Sequence, residues 1–332
     1  MPNDHFNDSF LSSLLAQFEK LQGNYTEEQL LQKLDEMDIT KLYSTVMNDS
    51  VELTVKRFKN SIQNAVTENQ KDYLRFEDAH RKSWGNCLDI SEMMYVLCVE
   101  AMDKYCNYCY SLEKEDSNNV SGRIYTFICL REICARACQQ YLEVFTLVKD
   151  GLADGAFARW RSLYELSIIA QFIKEQGENV AKSFFDSSFN YDEKNYEWAQ
   201  SAPCFTNKSD KFKPNFEDIQ NSCVNVSDNW KKYYKSACKA VHAAPVSTFG
   251  RISIHSNVPS NGIGRSIFSI EEPAVHAAMS LNIIICNFFN VFSSGDSLFM
   301  INVINKWTKL IEEYYSKSSQ ALNQKIQNKS KE

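Results

Sequence analysis

The chain has 332 residues, 44% of them hydrophobic and 23% charged, with a formal net charge of -6. That length holds one large or two modest domains, and the acidic balance argues against a surface that coats nucleic acid generally, leaving room only for a local basic strip. Just 10 Gly and 6 Pro punctuate long apolar-periodic runs, which predicts a mainly helical protein.

Residues 1–13, MPNDHFNDSFLSS, have neither the basic start nor the apolar centre of a secretory signal, so the expected location is the cytoplasm. Residues 7–22 read as a short amphipathic helix. Thr26, Glu27, Glu28 and Gln29 form a capping-box start for a second helix. From 41 to 81 a long, sparsely apolar helix follows, and a richer core begins at Trp84. We therefore expect an N-terminal helical arm or cap over 1–82, packed on the main body or contributing to a subunit interface, with a homodimer as the expected partner state. The main helical domain spans 83–322 and a polar tail 323–332.

Within the main domain, 88–112 and 123–149 make a helical hairpin around a turn-like LEKEDSNNVSG. Residues 156–174 form the central helix, with Gly177 as its stop. On that helix Arg161 and Glu165 are an i,i+4 pair sharing a face with Phe157, Tyr164, Ile168 and Phe172, where two charges are costly unless paired. A further helix is predicted over 179–200, then a polar connector to 228. Residues 243–272 form a long loop, in which the β-prone pieces FGRISI and RSIFSI can pair as a hairpin. Helices over 271–292 and 296–321 close the domain, and the last ten residues are expected to fray. The most membrane-like run, 275–292, is interrupted by His276, Asn282, Asn287 and Asn290, so no membrane span is expected. The fold class read from this pattern is all-α, a multi-helix bundle with one irregular excursion.

Eleven cysteines, an odd number, fall mostly on apolar helical faces, as reduced core thiols do. Cys106 with Cys109 (CNYC) and Cys134 with Cys138 have spacings that can hold a metal, but both pairs lie inside helix patterns without a ligand histidine nearby. Core packing is the favoured reading, with no metal and no cofactor.

The stretch WKKYYKSACKAVHAAP, 230–245, carries the main functional signal. On a helix, Trp230, Tyr234, Ala237, Cys238 and Val241 share an apolar stripe, bordered by Lys231, Lys235 and His242. Pro245 stops the helix, setting His242 at its end beneath the long loop. A histidine there serves as general acid or base with Lys235 as the supporting cation, while Arg161, Glu165 and Tyr234 supply a binding pocket. Each residue also has a structural reading: His242 as a carbonyl cap, and Arg161 with Glu165 as an ion pair locking the bundle. Tyr191, Tyr196 and Trp198 read first as packing, and His276 as a satisfied core histidine. Arg251 and His255 lie in the long loop.

The motifs RSLYELSIIAQFI (161–173) and YYKSACKAVHAAP (233–245) resemble those of an uncharacterised prokaryotic family known only as a domain of unknown function. Its marks are an Arg-Ser-Leu-x-Glu helix and a Ser-x-x-x-x-Val-His-x-x-Pro helix end. The likeness covers 123–292 and implies an all-helical fold and no particular reaction. More distantly, the chain is similar to helical HEPN ribonucleases of phage defence, which place an Arg and a His four to six residues apart and cleave RNA without metal. Arg75 and His80 have that spacing on a helix whose face reads as solvated. Lys235 and His242 echo it with lysine, which lacks the arginine fork. The implied function is a cytoplasmic effector that binds or cleaves RNA or a phosphate-bearing ligand; the alternative is a non-catalytic helical interaction module.

Overall fold

A computed structural model describes residues 5–22, 26, 28–29, 32, 38–115, 120–190, 196–209, 211–224, 226–241, 245, 253–255, 258–260 and 264–329. The fold among them is all-helical apart from one small β-ribbon. The helices are α1 (His5–Gln22), α2 (Ile39–Glu115), α3 (Ile124–Lys149), α4 (Ala153–Gln176), α5 (Glu178–Ser187), α6 (Phe216–Ser222), α7 (Asp228–Val241), α8 (Glu271–Phe289) and α9 (Gly295–Lys329). The chain divides into two compact units, Met1–Arg75 and Phe76–Glu332.

In the second unit α4 packs against α3, α7 and α8, and α8 also packs on α3 and α9. Apolar side chains on nearly every side of α4 explain its central place: Trp160, Leu163, Tyr164, Ile168, Ala170, Phe172 and Ile173 are all buried. Gly177 ends it at φ +88°, a backbone region closed to side chains, and its N–H bonds the Ile173 carbonyl.

Four sequence expectations are corrected. The predicted break between 81 and 88 does not exist: α2 runs unbroken past Trp84, because a lone Gly85 weakens a helix without ending it. The helix expected over 179–200 stops at Ser187, where the Ser187 and Ser188 hydroxyls take the carbonyls of Phe184 and Phe185 at 2.7 Å each. The last helix continues to Lys329, beyond residue 321. A hairpin does form in the long loop, but its strands are β1 (Ser253–His255) and β2 (Val258–Ser260), with Ile254 opposite Pro259. The RSIFSI piece is instead held irregular: Ser266 N–H bonds Gly151 O at 2.9 Å, and Trp84 Nε1 bonds Ile267 O at 2.8 Å. The connector after residue 200 also contains α6, started by a capping box between Asn215 and Asp218.

Glu178 performs a task the sequence reading missed. The first residues of α3 have no local side-chain cap, and the Glu178 carboxylate accepts from Tyr125 N (2.7 Å), Thr126 N (3.0 Å) and Thr126 Oγ1 (2.7 Å). A carboxylate against a helix N-terminus satisfies orphan N–H groups and meets the positive end of the helix dipole.

Candidate functional site

The polar cluster of the second unit is built where α4 meets α7. Tyr164, one position before Glu165, is fully buried, whereas the side chains of Arg161 and Glu165 each retain 29% exposure at the edge of the same face. The pair is therefore half-buried rather than sealed in the core. Arg161 Nε lies 3.2 Å from Glu165 Oε1, the i,i+4 contact expected from the spacing.

Tyr234 of α7 completes the cluster. Its hydroxyl donates to Glu165 Oε1 at 2.7 Å, and Arg161 Nε reaches that hydroxyl at 3.4 Å. Its ring stacks on Tyr164 (4.6 Å between centroids, 21° between planes) and leans on Phe216 of α6 at 5.4 Å. The Arg161 guanidinium sits 5.6 Å from the same ring centre, within cation–π range. Behind it, Gln220 Nε2 donates to Tyr164 Oη at 2.6 Å. Tyr196 stands 6.3 Å from Phe216 ring to ring, inside the electrostatic reach of Glu165 and Arg161.

The electrostatics keep these phenols protonated. Burial first, then the hydrogen bond to Glu165, pushes the Tyr234 phenol up, so it remains a donor at neutral pH. Burial likewise raises Tyr164 and Tyr196. The Tyr234 hydroxyl, followed by the nearby negative groups, holds Arg161 above the usual arginine range. Arg161 spends its Nε edge inside the cluster. Among the described residues no hydrogen bond is made by its Nη atoms, which leaves the two-pronged end of the fork for an anion.

The structure thus joins three of the five predicted site residues, Arg161, Glu165 and Tyr234. Lys235 is exposed next to Tyr234 on α7 and makes no hydrogen bond or ion pair among the described residues, while Lys231 bonds Asn221 at 2.8 Å. His242 lies outside the described residues, as do Tyr191 and Arg251; the His255 side chain is also not described. The predicted stripe on α7 holds for Trp230 and Ala237, which are buried, but Val241 is exposed. Sequence reasoning missed Gln220 and Phe216, whose places behind the two tyrosines depend on a connector that carried no periodic signal.

Other candidates resolve differently. His80 is 2% exposed, so its helical face is not solvated: the ring stacks on Phe76 at 5.1 Å and its Nε2 pairs with Val148 O at 3.1 Å. Arg75 is turned to solvent and paired with Asp72 at 3.0 Å, so the two do not form a site. His276 is buried between Trp160 (4.7 Å) and Tyr233 (4.3 Å), and its Nδ1 has no hydrogen-bond partner among the described residues, which corrects the expectation of a satisfied ring. Trp198 packs on Phe184 and Phe172. Cys109, Cys134 and Cys138 are buried and Cys106 partly so. Burial pushes the Cys109 thiol up to about 11 and that of Cys138 to about 12, as for core thiols. Among the described residues no three His, Cys, Asp or Glu side chains converge as metal ligands. An apolar groove of about 470 Å³ lies elsewhere, between α2 and α9, lined by Leu97, Tyr105, Phe299 and Val303 among others.

These features define an all-helical domain with an arginine, a glutamate and a tyrosine in one hydrogen-bonded group at the meeting of two helices. Residues 127–223 match the model of a family of unknown function, DUF5677, over less than a third of the chain. The match is narrower than the likeness drawn from the sequence motifs; it includes Arg161, Tyr164, Glu165 and Gln220 and ends before Tyr234. No curated protein and no solved structure matches the chain significantly.

Proposed function

We propose that the Arg161, Glu165 and Tyr234 cluster binds a phosphate-bearing ligand, with RNA as the substrate class, and that the protein is a cytoplasmic effector of prokaryotic defence. The observation that carries this reading is the orientation of Arg161: Glu165 and Tyr234 hold its Nε edge, so its Nη edge is pre-set for bidentate contact with a phosphate. Lys235, exposed beside Tyr234, adds a second cation, and Tyr196 offers a stacking face. In this reading His242 exchanges the proton at the reacting phosphodiester and Lys235 balances the charge that develops there. No helix among the described residues is long and apolar enough to cross a membrane, in keeping with a role away from the bilayer.

A second reading has its own support. Tyr234 stacks on Tyr164 and Phe216 while its hydroxyl bonds Glu165, a set of contacts that also fits a non-catalytic module in which the cluster merely fastens α7 to α4. The two readings separate in one experiment: RNA cleavage and toxicity on expression for wild type and His242→Ala, with helicity checked by circular dichroism. Loss of both activities in a folded variant supports the effector. Equal behaviour of the two proteins supports the module.

A further inference from the structure

Two cations meet at one end of α8 with no acidic partner among the described residues. Lys174, in the last turn of α4, donates to Asn290 O at 2.8 Å, and Arg123, at the N-cap of α3, donates through Nη1 to Val291 O at 2.8 Å. These are consecutive carbonyls just past the last turn of α8, so the two cationic heads stand no more than about 10 Å apart. Among the described residues neither side chain makes an ion pair or a further hydrogen bond. Lys174 is half-buried, and its ammonium is held below the usual lysine range by burial first and then by Arg123. No acidic side chain offsets either effect.

Capping alone leaves this charge unbalanced. The end of α8 carries about half a negative charge, which two whole cations exceed. Of the neighbouring carboxylates, Glu178 is committed to the N–H groups of Tyr125 and Thr126, and Glu175 to Gln171 and the Val224 N–H. Even with Glu178 counted in full, against half a positive charge from the start of α3, about one positive charge remains. The spare donors define what neutralises it. Arg123 has used one of its five N–H groups and Lys174 one of its three. The Nε and Nη2 edge of Arg123 takes two oxygens of one anion, and Lys174 takes a third. A carboxylate has only two oxygens, whereas a tetrahedral oxyanion has enough. With hydrogen bonds of about 2.8 Å on either side such an anion spans about 8 Å, which fits between the heads. Bound there, it ties together the start of α3, the end of α4 and the end of α8, three helices that pack on one another.

We propose that Arg123 and Lys174 form a binding site for a phosphate group, free or carried by a nucleotide. The site is separate from the Arg161 cluster, because Lys174 lies thirteen residues, about 20 Å, further along α4. The test is the melting midpoint of the full chain at matched ionic strength, with sodium chloride, inorganic phosphate, adenosine 5′-monophosphate or adenosine added at ~5 mM. Circular dichroism confirms that each variant is folded. Phosphate is expected to raise the midpoint of wild type and of Arg161→Ala by at least ~2 °C over chloride. Lys174→Met and Arg123→Gln are expected to lose that shift, and Lys174→Arg to keep it. A larger shift with adenosine 5′-monophosphate, and none with adenosine, assigns the site to a nucleotide; a shift no larger than that of inorganic phosphate assigns it to the free anion. No shift in wild type, or an equal one in every variant, as a kosmotropic salt alone gives, would overturn the proposal. So would a shift lost in Arg161→Ala and kept in Lys174→Met, which places the phosphate at Arg161 instead.

Discussion

Tyr234 bonds Glu165 at 2.7 Å through its hydroxyl while its ring stacks on Tyr164 at 4.6 Å, so a single side chain fastens α7 to α4 at both its polar and its apolar ends. Tyr234→Phe keeps the stack and deletes the bond. The expected loss of stability is about 1 kcal/mol, the usual size for a hydrogen bond whose acceptor can regain water. Glu165→Ala should cost a similar amount. Breaking a fully buried pair would cost more, but at 29% exposure solvent screens Arg161 once its partner is gone. Because the two substitutions break the same bond, the double variant should be less destabilised than the sum of the singles in urea titrations.

Glu178 caps α3 from another helix, accepting three hydrogen bonds from Tyr125 and Thr126. Glu178→Gln retains shape but removes the charge that the helix N-terminus favours, and is expected to destabilise by about 1 kcal/mol in chemical denaturation. Lys182→Ala on the same helix, whose lysine pairs with Asp186 in solvent, is the control and should be nearly silent.

His276 predicts a pH dependence. Burial pushes its ring down from 6.5 to about 4, so the native state holds it neutral while the unfolded chain already protonates near 6.5. Its contribution is whole above pH 6.5, is lost as the pH falls through that window, and levels off below about 4, amounting to at most about 3 kcal/mol. His80, lowered mainly by burial and opposed by the Val148 carbonyl and Asp150, acts in the same direction. Thermal midpoints of wild type and His276→Gln, compared between neutral and mildly acid pH, should converge on acidification. Parallel curves would remove His276 as a source of acid sensitivity.

Gly151 joins α3 to α4 at φ +69°, where an added Cβ would stand 2.6 Å from Ser266 O and against the Phe76 ring. Gly151→Ala combines backbone strain with a clash on a turn that also anchors Ser266, and is expected to cost more than about 2 kcal/mol in the melting curve. Gly122→Ala, with open space around its Cβ, should be tolerated.

Much of the bundle was legible because its cores are periodic: α4 and its Gly177 stop follow from apolar spacing and one glycine. What escaped had no periodic mark. The end of α5 depends on serines bonding carbonyls within the last turn, and α6 is a seven-residue helix inside a polar connector. The site was legible in part for the same reason. Arg161 and Glu165 announce themselves as charges on an apolar face, whereas Gln220, Phe216 and Glu178 act across the fold, through contacts that no local pattern encodes. His80 shows the converse: a sparsely apolar helix looks solvated until the turn it packs against is in place.

The central claim is that Glu165 and Tyr234 hold Arg161 for a phosphate. The most direct measurement is fluorescence anisotropy of a labelled single-stranded RNA titrated with wild type, Arg161→Lys and Arg161→Ala, each shown to be folded. Loss of bidentate contact should weaken binding ~10-fold or more in Arg161→Lys despite its retained charge, and further in Arg161→Ala. Equal affinity in all three proteins, or no RNA binding by wild type, would contradict it.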